Sequence, residues 1–416
     1  MYWRFLEQQI TKWTNKPYVQ ILFGARQTGK STLLKKLFPG ADISIDLSNP
    51  GERSRYLARP QEFISECRAL SESKKRRVVV VDEVQTAPAI FDAVQSLYDS
   101  DKTRWQFILC GSSARKLRTT GTNLLPGRAV YHHLYTLTTL ERAFSEATTK
   151  KKDDVPALPM LIGQEKRSEK LFPAVSLEER LAFGELPGIA VAGKEDRPEL
   201  LRSYALIYLE EEIRREGLVK DWGAFVRFLE LAAAESGGIV NYSSLSKESG
   251  VSVATIKSYY RLLEDMFIGF SVPAFSGSTR KYLLSTPKFY FFDNGVRNAS
   301  AGFEIGPSIV RSQSGPLFEH WVGQELWKRL GYLKQGRLFH YRTKGGAEID
   351  FVLEKDRHYI PIEVKWTEHP SESDARHIES FLRDMSKKAT SGFIICRCVK
   401  PMQLTDHVKA VPYWWF

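Results

Sequence analysis

The string Gly24-Ala25-Arg26-Gln27-Thr28-Gly29-Lys30-Ser31-Thr32 follows directly on an apolar run, Val19 to Phe23. It has the pattern G-x-x-x-x-G-K-S, which suits a triphosphate. Gly24 and Gly29 let the backbone curl, so that successive N–H groups point at phosphate oxygens. Lys30 reaches the β- and γ-phosphates, and the Ser31 hydroxyl ligates Mg²⁺. A helix starting near Gly29 adds the positive end of its dipole. Structural Gly-rich turns share such short patterns, so the context decides. Val19 to Phe23 reads as the strand required before the loop, and Ser31 to Leu37 carries the helical apolar spacing required after it. Residues Gly24 through Thr32 are therefore expected to line a nucleotide.

A second apolar strand, Val78-Val79-Val80-Val81, ends in Asp82-Glu83. Consecutive valines suit a strand buried on both faces of a parallel sheet, and such sheets bind ligands at the carboxyl ends of their strands. Asp82 is expected to hold Mg²⁺ through water opposite Ser31, and Glu83 to polarise the attacking water. The plain alternative, a strand capped by solvated acids, loses weight once Lys30 stands in the same chain. Phe107-Ile108-Leu109-Cys110-Gly111-Ser112-Ser113 reads as a third buried strand beside the acid-bearing one, with Ser112 or Ser113 near the γ-phosphate. Arg128, in Leu125-Pro126-Gly127-Arg128 before a further strand, is expected to project into a neighbouring subunit's nucleotide and stabilise transition-state charge. Arg115 and Arg118 are its rivals.

The order of phosphate loop, V-V-V-V-D-E, C-G-S-S and P-G-R resembles a prokaryotic AAA+ ATPase family. Its members carry a C-terminal domain long described as of unknown function and similar to PD-(D/E)xK nucleases. Phe183-Gly184-Glu185-Leu186-Pro187-Gly188 and Phe291-Phe292-Asp293-Asn294-Gly295-Val296-Arg297 agree with it, so the resemblance spans most of the chain. It implies an α/β protein: an AAA+ P-loop NTPase core over 1–145, a linker or insertion with a helical lid over 146–235, a winged helix over 236–300, and a restriction-endonuclease-like domain over 301–416. In AAA+ ATPases the role given to Ser112 or Ser113 is called sensor 1. A trans arginine implies a ring, expected to be a hexamer. The stretch from Glu146 to Lys170, with Lys150-Lys151-Lys152 and several prolines, departs from the compact connection usual there and reads as an insertion.

Asn241 to Leu263 reads as a helix-turn-helix. Leu245, Val251, Ile256 and Leu263 supply its small core, Gly250 its turn and Ser252 the cap of its second helix. Ser252, Thr255, Lys257, Ser258 and Arg261 then face DNA. Phe267 to Ala274 and Lys288 to Phe292 read as the strands of a wing, with Arg280 and Lys281 in its loop for backbone phosphates. Winged helices also serve as protein adaptors.

Near the C-terminus, Gly345-Gly346-Ala347-Glu348-Ile349-Asp350 leads into one alternating strand, and Tyr359 to Trp366 forms a second. Alternation puts Glu363 and Lys365 on one face, and Asp350 on the neighbouring strand can converge there. The set D…E-x-K offers carboxylates for Mg²⁺ and a lysine to position water. Glu319, early in an upstream helix, adds a further acid and completes the nuclease pattern.

The remaining properties set bounds. The chain has 416 residues and a formal net charge of +11, which favours several domains and a polyanionic partner. No run approaches the ~18 apolar residues of a membrane span, and the first residues lack a signal-peptide pattern. Cys67, Cys110, Cys396 and Cys398 lie in or beside apolar runs and read as reduced core thiols; His132-His133 reads as surface. A cytoplasmic location without membrane contact is expected. The combined expectation is a DNA-binding AAA+ ATPase that uses ATP and Mg²⁺ to move on or remodel DNA, duplex or branched, in repair or recombination. An ATP-gated Mg²⁺-dependent nuclease and a nucleotide-switched protein adaptor are the alternatives.

Overall fold

The computed structural model describes residues 2–113, 125–143, 175–215, 217, 219–276, 286–343 and 345–415. Arg115, Arg118, the insertion from Glu146 to Lys170, and the loop cations Arg280 and Lys281 lie outside the described residues. The chain forms two compact units. One comprises Trp3–Tyr135 with Asp265–Ile268, and the other Thr136–Glu264 with Gly269–Phe416. Among the described residues, no helix is long and apolar enough to cross a membrane.

The first unit runs α1 (Phe5–Thr14), β1 (Val19–Phe23), α2 (Lys30–Leu37), β2 (Ile43–Asp46), α3 (Pro50–Ala58), α4 (Gln61–Ala69), β3 (Arg77–Asp82), α5 (Ala89–Ser100), β4 (Trp105–Gly111) and β5 (Ala129–His133). Its strands make one five-stranded sheet in the order β2-β3-β4-β1-β5, parallel throughout. Every residue of β1 and β4 is buried, as befits strands covered on both faces. On β3, Val79 and Val81 share a core with Phe91, Val94 and Leu97 from the apolar stripe of α5. The parallel direction matters for the site: it brings the carboxyl ends of β1, β4 and β3 to one edge. Arg128 precedes β5 and so lies at the opposite, amino-terminal edge, where Val19 N–H donates to its carbonyl. His132 is buried rather than on the surface, with Nε2 3.0 Å from Gln20 Oε1 on β1.

The second unit is helical at first: α6 (Thr139–Ala143), α7 (Leu177–Phe183), α8 (Pro187–Val191), α9 (Arg197–Ser203), α10 (Leu209–Arg215) and α11 (Trp222–Ala234). The helix pair α12 (Tyr242–Ser249) and α13 (Val253–Asp265) follows. Gly250 ends α12 in the left-handed region at φ 75°, a conformation cheap only for glycine. The Ser252 hydroxyl accepts from Thr255 N–H at 3.1 Å and caps α13. A two-stranded antiparallel ribbon, β6 (Gly269–Val272) with β7 (Lys288–Phe291), comes next. Then come α14 (Asn294–Ser300) and α15 (Pro307–Leu333), the latter broken at Gln313.

The C-terminal sheet is built from β8 (Arg337–Arg342), β9 (Glu348–Lys355), β10 (His358–Val364), β11 (Gly392–Cys396), β12 (Met402–Gln403) and β13 (Val408–Pro412), with α16 (Arg376–Asp384) packed against it. Strand order is β12-β13-β11-β10-β9-β8, mixed in direction. The ribbon is no isolated appendage. Phe270 stacks on Trp327 of α15 at 4.3 Å, and Phe270, Val272 and Tyr290 share a core with Phe351 and Ile362 of the sheet. All four cysteines are buried and free of disulfides.

Two motifs far apart in sequence form one buried polar joint. The Asp293 carboxylate accepts Glu185 N–H at 2.6 Å and Val296 N–H at 3.1 Å. Glu185 in turn ion-pairs with Arg180 and Arg142, all of them buried. Gly184 has φ 71°, and a Cβ there would stand 1.9 Å from Asp293 Oδ1. Two independent penalties therefore fall on any side chain at 184. Gly184→Ala should destabilise the second unit by about 3 kcal/mol or more, read as a lowered melting transition; an unchanged transition would contradict this joint.

Candidate functional site

The phosphate loop is held from several sides. Leu134 N–H donates to Phe23 O at 2.8 Å, which pulls the chain after β5 against the loop's start. A Cβ on Gly24 would lie 2.3 Å from Leu134 O, so this position accepts only glycine. Gly29 takes φ 95° immediately before α2, again a glycine conformation. Thr28 is buried and its hydroxyl donates to Ala25 O at 2.8 Å. Arg4 reaches in just before α1, donating to Thr28 O at 2.7 Å and Tyr135 O at 2.5 Å. Nothing in the sequence singled out Arg4; only the fold brings it to the loop.

Lys30 is 5% exposed, and its ammonium donates to Gly24 O at 2.9 Å and Ala25 O at 3.0 Å. Among the described residues it has no carboxylate partner in an ion pair. A buried cation balanced only by carbonyl dipoles favours a polyanion beside it. Ser31 and Thr32 are exposed on the first turn of α2, while Arg26 is half-buried and Gln27 exposed at the loop's crest. Ser31, Ser44, Asp46 and Asp82 line one cavity of about 60 Å³. Two hydroxyls and two carboxylates around one space form a hard-oxygen set that fits Mg²⁺.

Glu83 follows Asp82 in the left-handed region, at φ 55° and ψ 38°. A non-glycine residue there costs on the order of 1–3 kcal/mol, a strain found mostly at functional sites. The turn re-aims the side chain so that Ser112 Oγ donates to Glu83 Oε2 at 3.1 Å. Gln85 Nε2 donates to Ser112 Oγ at 2.9 Å and also to the Glu83 carboxylate. Gln85 is thus a positioning residue for Glu83 that the sequence left unmarked. Burial, reinforced by Asp82, pushes the Cys110 thiol well above its ordinary range and keeps it neutral at the foot of the site.

Arg128 makes a two-point contact with Asp99 of its own chain, Nε–Oδ1 2.7 Å and Nη2–Oδ2 3.0 Å. It does not reach its own phosphate loop, which lies at the other edge of the sheet. Both partners are about a third exposed, so the pair is a surface contact screened by solvent.

On α13, Ser252, Lys257, Ser258 and Arg261 are exposed and Thr255 half-buried. Lys257 Nζ lies 5.2 Å above the Tyr242 ring. Val251, expected in the small core, is only half-buried, whereas Leu245, Ile256 and Leu263 are fully buried.

The C-terminal carboxylates do come together. Asp350 on β9 and Glu363 on β10 lie one step beyond the registered pair Phe351↔Ile362. Asp350 Oδ2 accepts Val364 N–H at 2.8 Å, and Lys365 Nζ is 3.4 Å from Glu363 Oε2. Glu319 on α15 completes the group, accepting the Tyr290 hydroxyl at 2.8 Å. Lys288 of β7 also enters, its Nζ 3.0 Å from Glu319, 3.2 Å from Glu348 and 4.0 Å from Asp350. Burial opposes charge on Lys288, but Glu319, Asp350 and Glu348 outweigh it and hold the ammonium above the usual lysine range. Burial and then Asp350 push Glu319 up to about 7; burial and then Glu363 push Asp350 up to about 7. Burial likewise raises Glu363, against the pull of Lys365. Among the described residues, no group of three or more His, Cys, Asp and Glu stands in an arrangement that could hold a metal. As arranged, Glu319, Asp350 and Glu363 do not fit Mg²⁺. The legible clue was Lys288 itself, a lysine opening the apolar run Lys-Phe-Tyr-Phe on the same strand face as Tyr290.

Comparison with known proteins agrees with the geometry of the first unit. Residues 16–143 match the profile of an AAA domain, so that unit contains an AAA-type ATPase domain. Residues 175–305 match a domain of unknown function, DUF8612, and residues 314–416 another, DUF4143. An uncharacterized protein of Mycobacterium tuberculosis is 24% identical over 395 residues, covering 95% of this chain and 80% of its own length. An uncharacterized protein of Haemophilus influenzae is 23% identical over 383 residues, covering 88% of each. The solved Walker-type ATPase PABY2304 of Pyrococcus abyssi aligns with 72% of this chain and 96% of its own at a TM-score of 0.46 and 16% identity.

Glu83→Gln should retain nucleotide affinity within about threefold while hydrolysis falls by about 10² or more, measured by equilibrium titration and phosphate release. Equal loss of both would contradict the role given to Glu83.

Proposed function

We propose that this chain is a DNA-directed AAA ATPase that acts as a ring. The observation that carries the ATPase reading is the meeting of Lys30, Ser31, Asp82 and Glu83 at one edge of a parallel sheet. Lys30 and the loop N–H groups bind and orient the β- and γ-phosphates. Ser31 and Asp82 would hold Mg²⁺, which when bound would supply positive charge for the phosphates. Glu83, oriented by Ser112 and Gln85, takes up the proton of the attacking water. Gly24 through Thr32 form the nucleotide-contacting set.

The position of Arg128 supports the ring. It stands at the edge of the sheet away from its own phosphate loop, so its guanidinium serves only a neighbour's nucleotide. Parting from Asp99 costs little. Six protomers is the expected number, by family resemblance.

DNA as the partner rests on the exposed face of α13, with Ser252, Thr255, Lys257, Ser258 and Arg261, and on the net charge of +11. Residues 236–300 then act as the winged helix, 146–235 as linker and lid, 1–145 as motor and 301–416 as a nuclease-like domain that grips DNA. Four-way or other branched DNA is the substrate favoured by analogy with junction nucleases. An ATP-gated nuclease is the weaker reading, because Lys288 sits among the acids such an enzyme needs.

Two tests follow. Full-length protein should hydrolyse ATP faster in the presence of duplex or four-way DNA, and binding should weaken steeply with salt, as phosphate contacts demand. Lys257→Ala with Arg261→Ala should lower DNA affinity about tenfold. Neither binding nor stimulation at low salt would leave the nucleotide-switched adaptor as the better account. Separately, Arg128→Ala and Lys30→Ala should each be nearly inactive alone and regain measurable turnover when mixed, because each supplies what the other lacks. No recovery in co-assembled protein would rule out the trans role of Arg128.

A further inference from the structure

The acids that the nuclease resemblance assigns to Mg²⁺ already face a cation from their own chain. Lys288 opens β7, and its backbone is fixed on two sides. It pairs with Val272 across the ribbon, and with Ile239 through an isolated bridge. From that anchorage its side chain runs inward, only 4% exposed, to end among three carboxylates. Glu319 comes from α15, whereas Glu348 and Asp350 come from the same face of β9. Tyr290, two residues along β7 and so on the same side of the ribbon, donates its hydroxyl to the Glu319 oxygen that Lys288 also contacts. One strand thus supplies both donors to the helix acid.

We infer that the Lys288 ammonium is the resident cation of this cluster, and that the C-terminal sheet is thereby closed to a divalent ion. The geometry argues it directly. Mg²⁺ needs several oxygens at about 2.0–2.1 Å around one point. Here the point between Glu319 and Asp350 is taken by a nitrogen 3.0 Å from one and 4.0 Å from the other. An ammonium and a divalent ion cannot share that space, since their repulsion in a partly buried site is large. The D…E-x-K pattern persists, with Asp350 and Glu363 on adjacent strands and Lys365 3.4 Å from Glu363, while Lys288 meets Asp350 together with Glu319 and Glu348 from outside the motif. The cluster then serves as a clasp that joins the ribbon and α15 to the sheet. This inference is independent of the ATPase and DNA readings.

Mn²⁺ is the probe, titrated into the full chain without nucleotide and read by the paramagnetic resonance of free Mn²⁺. Binding by the parent should be indistinguishable from that of Asp350→Asn. Lys288→Ala should gain a Mn²⁺ site at least about tenfold tighter than any the parent shows, and adding Asp350→Asn should remove it. The melting transition of Lys288→Ala should fall and be raised by Mn²⁺ more than that of the parent, and adding Asp350→Asn should cancel the difference. A parent that loses bound Mn²⁺ on Asp350→Asn would overturn the inference, as would a folded Lys288→Ala that gains none. Should Lys288→Ala fail to fold, the comparison of parent with Asp350→Asn still decides.

Discussion

An ammonium buried against backbone carbonyls is the constraint around which the first unit is arranged. Lys30 is almost fully enclosed, yet its partners are the carbonyls of Gly24 and Ala25 rather than a carboxylate. Burying such a charge is unfavourable unless dipoles or a counter-anion balance it. The loop supplies the dipoles, but only because its backbone is curled tightly enough to turn two carbonyls inward. That curl requires Gly24 against Leu134 O, Gly29 at positive φ, and Arg4 tying Thr28 to Tyr135. The parallel sheet then sets the remaining chemistry beside it, with β4 between β1 and β3 so that Ser112 can reach Glu83.

The second unit solves the opposite problem, an excess of buried negative charge. Glu319, Glu348, Asp350 and Glu363 converge near the start of β9 and the end of β10, and Lys288 and Lys365 answer them. Paired buried ions add little stability over an apolar core but are costly to break singly. They specify geometry instead: α15, the ribbon and the sheet have one mutual arrangement in which Lys288 meets Glu319, Glu348 and Asp350 together. The Asp293–Glu185 joint works alike, with Arg180 and Arg142 meeting Glu185 while Asp293 accepts two backbone donors.

What was legible in the sequence follows from how local each signal is. The phosphate loop and the Asp82-Glu83 strand end are written in contiguous residues whose types are dictated by backbone geometry, so they could be read directly. The same holds for the Gly250 turn and the Ser252 cap. Arg4 and Gln85 were not legible, and Lys288 showed only as a lysine opening an apolar strand, because their roles depend on partners 24 to 131 residues away or on a strained turn at Glu83. The nuclease pattern shows the limit most clearly. Asp350, Glu363 and Lys365 were correctly seen to share a face, but no spacing rule could show that a lysine from β7 enters among the acids. Gly184 and Asp293 entered only as part of the family resemblance, and the structure uses them as a packing joint.

The most direct measurement is a calorimetric titration of Mg·ATP into the full chain beside its Lys30→Ala counterpart. The account predicts saturable binding by the parent and a loss of about 10²-fold or more in affinity when the buried ammonium is removed. Equal affinity in the two proteins, or no binding by the parent, would contradict it.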